Sequence, residues 1–279
     1  MPIVTPTNTE VLSLRGLHLY HYALSNCSQK ARMTLEEKGQ RWTSHHLDLS
    51  RNEHVTPEYI GINPNGVVPT LVHDGKVVVE SSDIIDYLDV TFPTPPLKPS
   101  DPAELARMES WIELWDAIQA ALKTLSHEFL FKVRKGNARR ELARYERIHK
   151  NEHLIGFLRE FTSPAGLSPQ RICGAHAEAT AALARLNRRL SEREWLAGDA
   201  FSLADLAWSV NLHRFNLMRF PMHDLHGLRR WFAAVAGRPS FQRAVVGFEP
   251  TSIRIFFRLY ALTRELAGSG PRSQRWQGR

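Results

Sequence analysis

The fold class predicted by the sequence is an α+β unit ordered β-α-β-α-β-β-α over residues 1–92, followed by an all-α helical bundle over 103–250. Three observations lead there. Up to residue 92, short runs of period two alternate with helical stretches, whereas everything beyond Pro99 reads helical. Between them Phe92-Pro-Thr-Pro-Pro-Leu-Lys-Pro99 breaks the chain with four prolines, marking a linker over 93–102. A 279-residue length also suits about two domains of roughly 150 residues each.

The elements follow in order. Leu17-His-Leu-Tyr20 is a short strand, and Ser28 to Lys38 a helix closed by Gly39, a residue suited to the left-handed helix end. Trp42 to Leu49 alternates as a second strand, and the polar segment Ser50 to Ile60 is compatible with an irregular helix. Thr70-Leu-Val-His73 and Lys76-Val-Val-Val79 flank Asp74-Gly75, two residues that tolerate positive φ and so favour a tight hairpin. Ser81 to Val90 places Ile84, Ile85 and Leu88 at helical spacing.

In the second part, Ala103 to Leu125 reads as one core-facing helix, with Leu105, Met108, Ile112, Trp115 and Leu122 three or four residues apart. A charged helix is expected near Asn137 to Glu160 and another over Ala175 to Leu190. Ser202 and Asp205 have capping-box spacing, and Phe201 with Leu206 that of a hydrophobic staple, so a buried helix should begin at Leu203. Residues 251–279 form a basic tail. Its segment Ile253 to Leu262, apolar with arginines four apart, reads as a lid or packing helix in preference to a dimer contact or an interfacial membrane anchor.

Composition and charge exclude several functions. With 43% hydrophobic and 23% charged residues the chain is an ordinary globular one. Cys27 and Cys173 cannot make a disulfide framework, which fits a reducing, cytoplasmic setting. The start has no signal-peptide pattern, and no apolar run reaches the 18 residues of a membrane span. The net charge of +7 is uneven: residues 1–92 carry seven basic and eleven acidic groups, while 251–279 hold six Arg and one Glu. An acidic first third beside a basic tail is no phosphate-binding stripe, so nucleic acid is not an expected partner. His45-His46, His127, His149, His153 and His176 lack metal-ligand spacing, and no metal site is expected.

Three segments have the residues for chemistry. Ser25-Asn26-Cys27-Ser28 lies where the first strand hands over to the first helix, beside unpaired N–H groups and the positive end of the helix dipole. Such a position lowers a thiol pKa, and a hydroxyl there can donate to a bound thiolate; a small buried cap is the plainer reading. Asn63-Pro-Asn-Gly-Val-Val-Pro69 leads into a strand that opens with Pro, leaving a backbone pair for an extended peptide-like ligand. Glu80-Ser81, at a strand end and helix start, offers a carboxylate to an ammonium group and a helix N-terminus to a carboxylate.

Over about residues 17–248 the chain resembles the glutathione transferase superfamily. The resemblance rests on Ser25-Asn-Cys27-Ser-Gln-Lys-Ala-Arg32, Asn63-Pro with Val67-Val-Pro69-Thr-Leu, Glu80-Ser81-Ser-Asp-Ile-Ile-Asp-Tyr-Leu88, and Phe201-Ser-Leu-Ala-Asp205. It implies a thioredoxin-like first domain, a cis Pro69, a homodimer, and glutathione as co-substrate against a small electrophile, in aromatic catabolism or detoxification. The glutathione site would comprise Ser25, Asn26, His54, Val67, Val68, Pro69, Glu80 and Ser81, with His54 and Arg51 within reach of the glycine carboxylate. Ser25 and Cys27 are the catalytic candidates. The Ser25-x-Cys27-Ser28 signature looks like zeta and theta-like enzymes and tetrachlorohydroquinone reductive dehalogenases. Ile62 to Gly66, His73 to Val78 and the charged insertion look like β-aryl etherases, a match that departs at Cys27. The expectation is thiolate attack on an aromatic or activated electrophile, by conjugation or ether cleavage. The alternatives are reductive dehalogenation or deglutathionylation through Cys27, and a weakly catalytic, membrane-associated scaffold of the ganglioside-induced type. The electrophile pocket is expected between Met108–Leu125 and Trp208–Phe215.

Overall fold

The computed structural model describes residues 3–148 and 151–276; His149 and residues 277–279 of the tail lie outside the described residues. Strand β2 (Leu17–His21) is an interior strand of a five-stranded sheet, second from one edge, and alternates buried with half-buried side chains, as its sequence requires. It pairs in parallel with β3 (Trp42–His46) and antiparallel with β4 (Thr70–His73), in the register Leu17 to Trp42 and Leu17 to His73. Strand β5 (Lys76–Val78) returns along β4 through Asp74 and Gly75, whose φ values are +49° and +80°. A Cβ on Gly75 would sit 2.6 Å from the Leu12 carbonyl oxygen, so both backbone angle and space demand glycine. One strand was not anticipated: β1 (Ile3–Val4) pairs antiparallel with β5 and closes that edge.

Helices α1 (Asn26–Glu37) and α3 (Ser81–Thr91) cover one face, burying Leu19, Ala31, Leu35, Leu71, Ile84 and Leu88. On the other face, the turn Thr9–Ser13 and α2 (Pro57–Ile60) close over Val72, Val77 and Val79. The predicted β-α-β-α-β-β-α order is present, with the second strand ending at His46 rather than Leu49. The two X-Pro bonds Val68–Pro69 and Thr94–Pro95 are cis.

The expected single helix from Ala103 to Leu125 is two, α4 (Pro102–Ala117) and α5 (Gln119–Phe129). At the break the Gln119 side chain donates to the Trp115 carbonyl at 2.7 Å, inserting into the helical ladder. The charged helix is likewise split into α6 (Lys135–Ile148) and α7 (Glu152–Thr162), the second capped by Asn151, which accepts from Leu154 N. Helix α8 (Pro169–Glu192) starts six residues earlier than predicted, at Ser168-Pro169, a cap followed by proline at the first helical position. Helix α9 (Leu203–Leu217) begins where the capping residues place it and is the buried axis of the bundle. After α10 (His226–Ala236) and α11 (Pro239–Ala244), the basic tail forms α12 (Thr251–Leu266). It packs through Phe257 and Ala261, and Arg264 pairs with the buried Glu128 at 2.9 Å. The packing reading of the tail holds. The lid reading does not, because none of its described residues lines the main cavity.

Helix α1 is wedged between the sheet and helices α9 and α11, so even its polar residues are buried. Arg32 donates to the carbonyls of Tyr22, Ala23 and Ala244 and meets His21 Nδ1 at 3.0 Å. Burial, reinforced by Arg32, pushes His21 down to about 3, and burial pushes His127 on α5 down to about 4. An unfolded chain takes up a proton on each at pH ~6.5, which the folded chain refuses until about 4 or below. Stability from this pair is therefore complete above pH 6.5 and is lost on acidification. At pH ~4.5 the loss is of order 5 kcal/mol for the pair, at about 1.4 kcal/mol per pKa unit. Asp205, pushed up to about 6 by burial, has the opposite sign and returns about 2 kcal/mol. Urea unfolding at the two pH values should show a net drop of about 3 kcal/mol; equal stability would refute the neutral burial of both histidines.

Candidate functional site

The turn from β2 into α1 places Ser25 at the helix N-cap, with its Oγ accepting from Ser28 N at 3.3 Å. One lone pair is thus used inward, and the hydroxyl proton remains for an outward acceptor. Asn26 Nδ2 donates to Gln119 Oε1 and Asn211 Oδ1, both at 2.9 Å, and so ties this turn to α5 and α9. Cys27 lies one residue on, half-buried. Burial pushes its thiol up, although Lys30 and the Ser81 hydroxyl pull the other way. The expectation that the helix end would favour a Cys27 thiolate is therefore corrected: desolvation is the larger effect.

The loop before β4 is held from within. Tyr59 OH and Asn63 Nδ2 both donate to the Val67 carbonyl, at 2.7 and 3.0 Å. Among the described residues neither the N–H nor the carbonyl of Val68 has a hydrogen-bond partner, which leaves a peptide edge beside Pro69. Glu80, with φ +62°, stands at the N-cap of α3 and accepts from Asn65 Nδ2 at 2.9 Å; Ser81 opens the helix. His54 is buried, with Nε2 2.7 Å from Tyr145 OH on α6. Arg51 does not reach inward: its exposed guanidinium sits 3.7 Å from Asp48.

A cavity of about 430 Å³ opens at this turn. Ser25, Asn26, Cys27, His54, Val67 and Val68 line it, whereas Pro69, Glu80 and Ser81 stand outside its lining. Glu80 and Ser81 remain connected to it through Asn65, next to Gly66, and through Cys27. Of the two helices predicted to wall it, only the start and middle of α5 and Arg214 of α9 do so. Met108, Trp111 and Trp115 are core instead. Phe131 and, from the charged helices α6 and α7, Tyr145, Leu154, Leu158 and Phe161 add to the wall, an apolar inner face that the polar composition hid. Three polar groups were also missed. Lys30 is fully buried, donates to Ser82 Oγ at 2.7 Å, lies 3.4 Å from the Trp115 ring centre, and is pushed down to about 8 by burial. Arg214, buried at the cavity wall, donates to the Leu24 carbonyl. His127 faces the same cavity. No cluster of three or more metal-ligating side chains occurs among the described residues.

Comparison with known proteins agrees with this fold. The family model for the glutathione S-transferase N-terminal domain matches residues 19–96, and that for the C-terminal domain matches 141–234. A tetrachloro-p-hydroquinone reductive dehalogenase from Sphingobium chlorophenolicum is 26% identical over 244 residues, 82% of this chain and 95% of the relative. Protein LigF from a Sphingobium species is 31% identical over 194 residues, 68% of this chain and 75% of the relative. The crystal structure of beta-etherase LigF superposes with a TM-score of 0.73 at 25% identity, covering 83% of this chain and 99% of that one. With both family models matched in order and LigF 31% identical over three quarters of its length, the chain belongs to the glutathione S-transferase family.

Proposed function

We propose that this transferase uses the Ser25 hydroxyl to hold glutathione sulfur as thiolate, for attack on an aromatic electrophile in the cavity between α5 and α7. The observation that carries the reading is the Ser25 N-cap at the cavity edge, its hydroxyl proton free of the inward bond to Ser28. A thiol of pKa about 8.5 to 9 is only a few per cent ionised at pH 7. One donor to a charged acceptor contributes about 1.5 to 3 kcal/mol, which lowers that pKa by roughly one to two units. The N-terminus of α1 adds to this.

The Val68 backbone pairs with the cysteinyl peptide group, and the Glu80 carboxylate receives the ammonium. Ser81 and the N-terminus of α3 receive the γ-glutamyl carboxylate. Asn26, His54, Val67 and Pro69 complete the enclosure. In the reaction a carbon–sulfur bond forms on the electrophile, and chloride or an aryloxide departs with the electron pair of the broken bond. The relatives named as a beta-etherase and a reductive dehalogenase support these two leaving groups. A homodimer in the cytoplasm is the setting that family membership supports; a monomeric mass by light scattering would remove the dimer. No helix among the described residues is long and apolar enough to cross a membrane.

The test is turnover, with glutathione, of a chlorodinitrobenzene, a β-aryl ether, a chlorinated hydroquinone and a glutathionylated acceptor. Cys27→Ala is expected to keep at least half the wild-type rate on the first two, since burial disfavours the Cys27 thiolate. Loss of all activity in that variant would move the assignment to reductive or deglutathionylating chemistry. Binding of glutathione without any turnover would leave the scaffold reading.

A further inference from the structure

In the electrophile cavity, the orientation of His127 is set by its own helix. His127 Nδ1 lies 2.8 Å from the Lys123 carbonyl, one turn back on α5. A carbonyl oxygen only accepts, so Nδ1 has the proton and Nε2 keeps a bare lone pair. Nε2 has no hydrogen-bond partner among the described residues, and the residue lines the cavity. Phe157 and Phe161, each 4.9 Å away, and Phe131 at 5.6 Å pack edge to face around the imidazole and hold its plane. The ring cannot turn its lone pair elsewhere without breaking both the Lys123 bond and these contacts.

Burial and the nearby cations Lys123 and Arg214 keep the imidazole neutral through the physiological range, with a pKa near 4. At working pH His127 is thus an acceptor and not a donor. Arg214 on the same wall has its Nη2 engaged with the Leu24 carbonyl and its Nε buried, so His127 Nε2 is the acceptor left to a ligand there. An acceptor that cannot donate matches a hydroxyl, whose O–H gives the hydrogen bond. Leu122, Leu158 and Phe161 also line the cavity and suit the ring that bears it.

We propose that His127 Nε2 is a specificity-determining acceptor that selects aromatic substrates bearing a free hydroxyl. This rests on the assignment of the cavity to the electrophile. A ligand without the O–H leaves a desolvated acceptor unmet, and discrimination of about tenfold to a hundredfold follows.

The probe is phenol against fluorobenzene, which matches its shape and lacks the O–H, titrated into the full chain with glutathione present. Wild type is expected to bind phenol at least about tenfold more tightly. In His127→Phe the ratio should fall to within about twofold, and His127→Gln, whose amide oxygen can accept, should recover part of it. His127→Leu asks the same question if His127→Phe does not fold. In the wild type the ¹⁵N resonance of His127 Nε2 should shift with phenol and not with fluorobenzene. Equal affinities in the wild type, binding of neither probe, or a full ratio in His127→Phe or His127→Leu would each overturn the proposal. Chlorodinitrobenzene turnover by the same preparation reports separately on the Ser25 reading: lost turnover with an intact phenol preference would sink that reading and leave this one standing.

Discussion

Ser25→Ala should lower kcat/KM for chlorodinitrobenzene at pH 7 by roughly tenfold to 150-fold, the equivalent of a 1.5 to 3 kcal/mol hydrogen bond to a charged acceptor. The same change should raise the pKa of bound glutathione by one to two units, read from the ultraviolet absorbance of the thiolate. Both effects have one origin, so the deficit should shrink at a pH high enough to ionise the thiol unaided. Unfolding must be recorded beside the kinetics, because Ser25 also caps α1 through its bond from Ser28 N and its loss costs about 0.5–2 kcal/mol. A variant with unchanged thiol pKa and full turnover removes Ser25 from the chemistry.

Asp205→Ala is expected to destabilise the fold by about 3–5 kcal/mol, and to lower the melting temperature by about 10 °C. The carboxylate is fully buried and accepts four hydrogen bonds. Leu196 N and Trp231 Nε1 donate to one oxygen at 3.0 and 2.8 Å, and Ser202 N and Oγ donate to the other at 3.0 and 2.7 Å. Alanine leaves buried donors unmet, loses the cap of the central helix and opens a gap in the bundle. Asp205→Asn should recover only part of this, because its NH₂ would face two donors. Urea unfolding checks both, and a cost below about 1 kcal/mol for the alanine variant would refute the account.

What was legible in the sequence is what short-range chemistry specifies. Asp74-Gly75 permits few conformations, so the hairpin could be placed; Ser202 and Asp205 bond within one turn, so the start of α9 could be placed. The transferase motifs at Ser25, Val67 to Pro69 and Glu80 were visible because backbone and side-chain roles there are local. What was not legible depends on partners distant in the chain. Strand β1 is two residues long and exists through β5. The break before Gln119 reflects the amide contact that Gln119 makes with Asn26, 93 residues away. Helix α1 was read only as a helical stretch closed by Gly39, yet Gln29, Lys30 and Arg32 are fully buried because it is sandwiched on both sides. His127 was grouped with the scattered histidines. Its signal was Lys123 and His127 four apart on one helical face, with Phe131 following just past the helix end.

The amide bridge from Asn26 to Gln119 and Asn211 has a consequence for descent and for engineering. Asn26, beside the hydroxyl proposed to hold the thiolate, is positioned by two side chains that belong to the helical half, so on that proposal neither half contains a finished site. Swapping residues 1–92 into a relative whose helices lack those two amides would transplant the motif and lose its alignment. Recombinants between relatives are therefore expected to keep their activity where Asn26, Gln119 and Asn211 are inherited together.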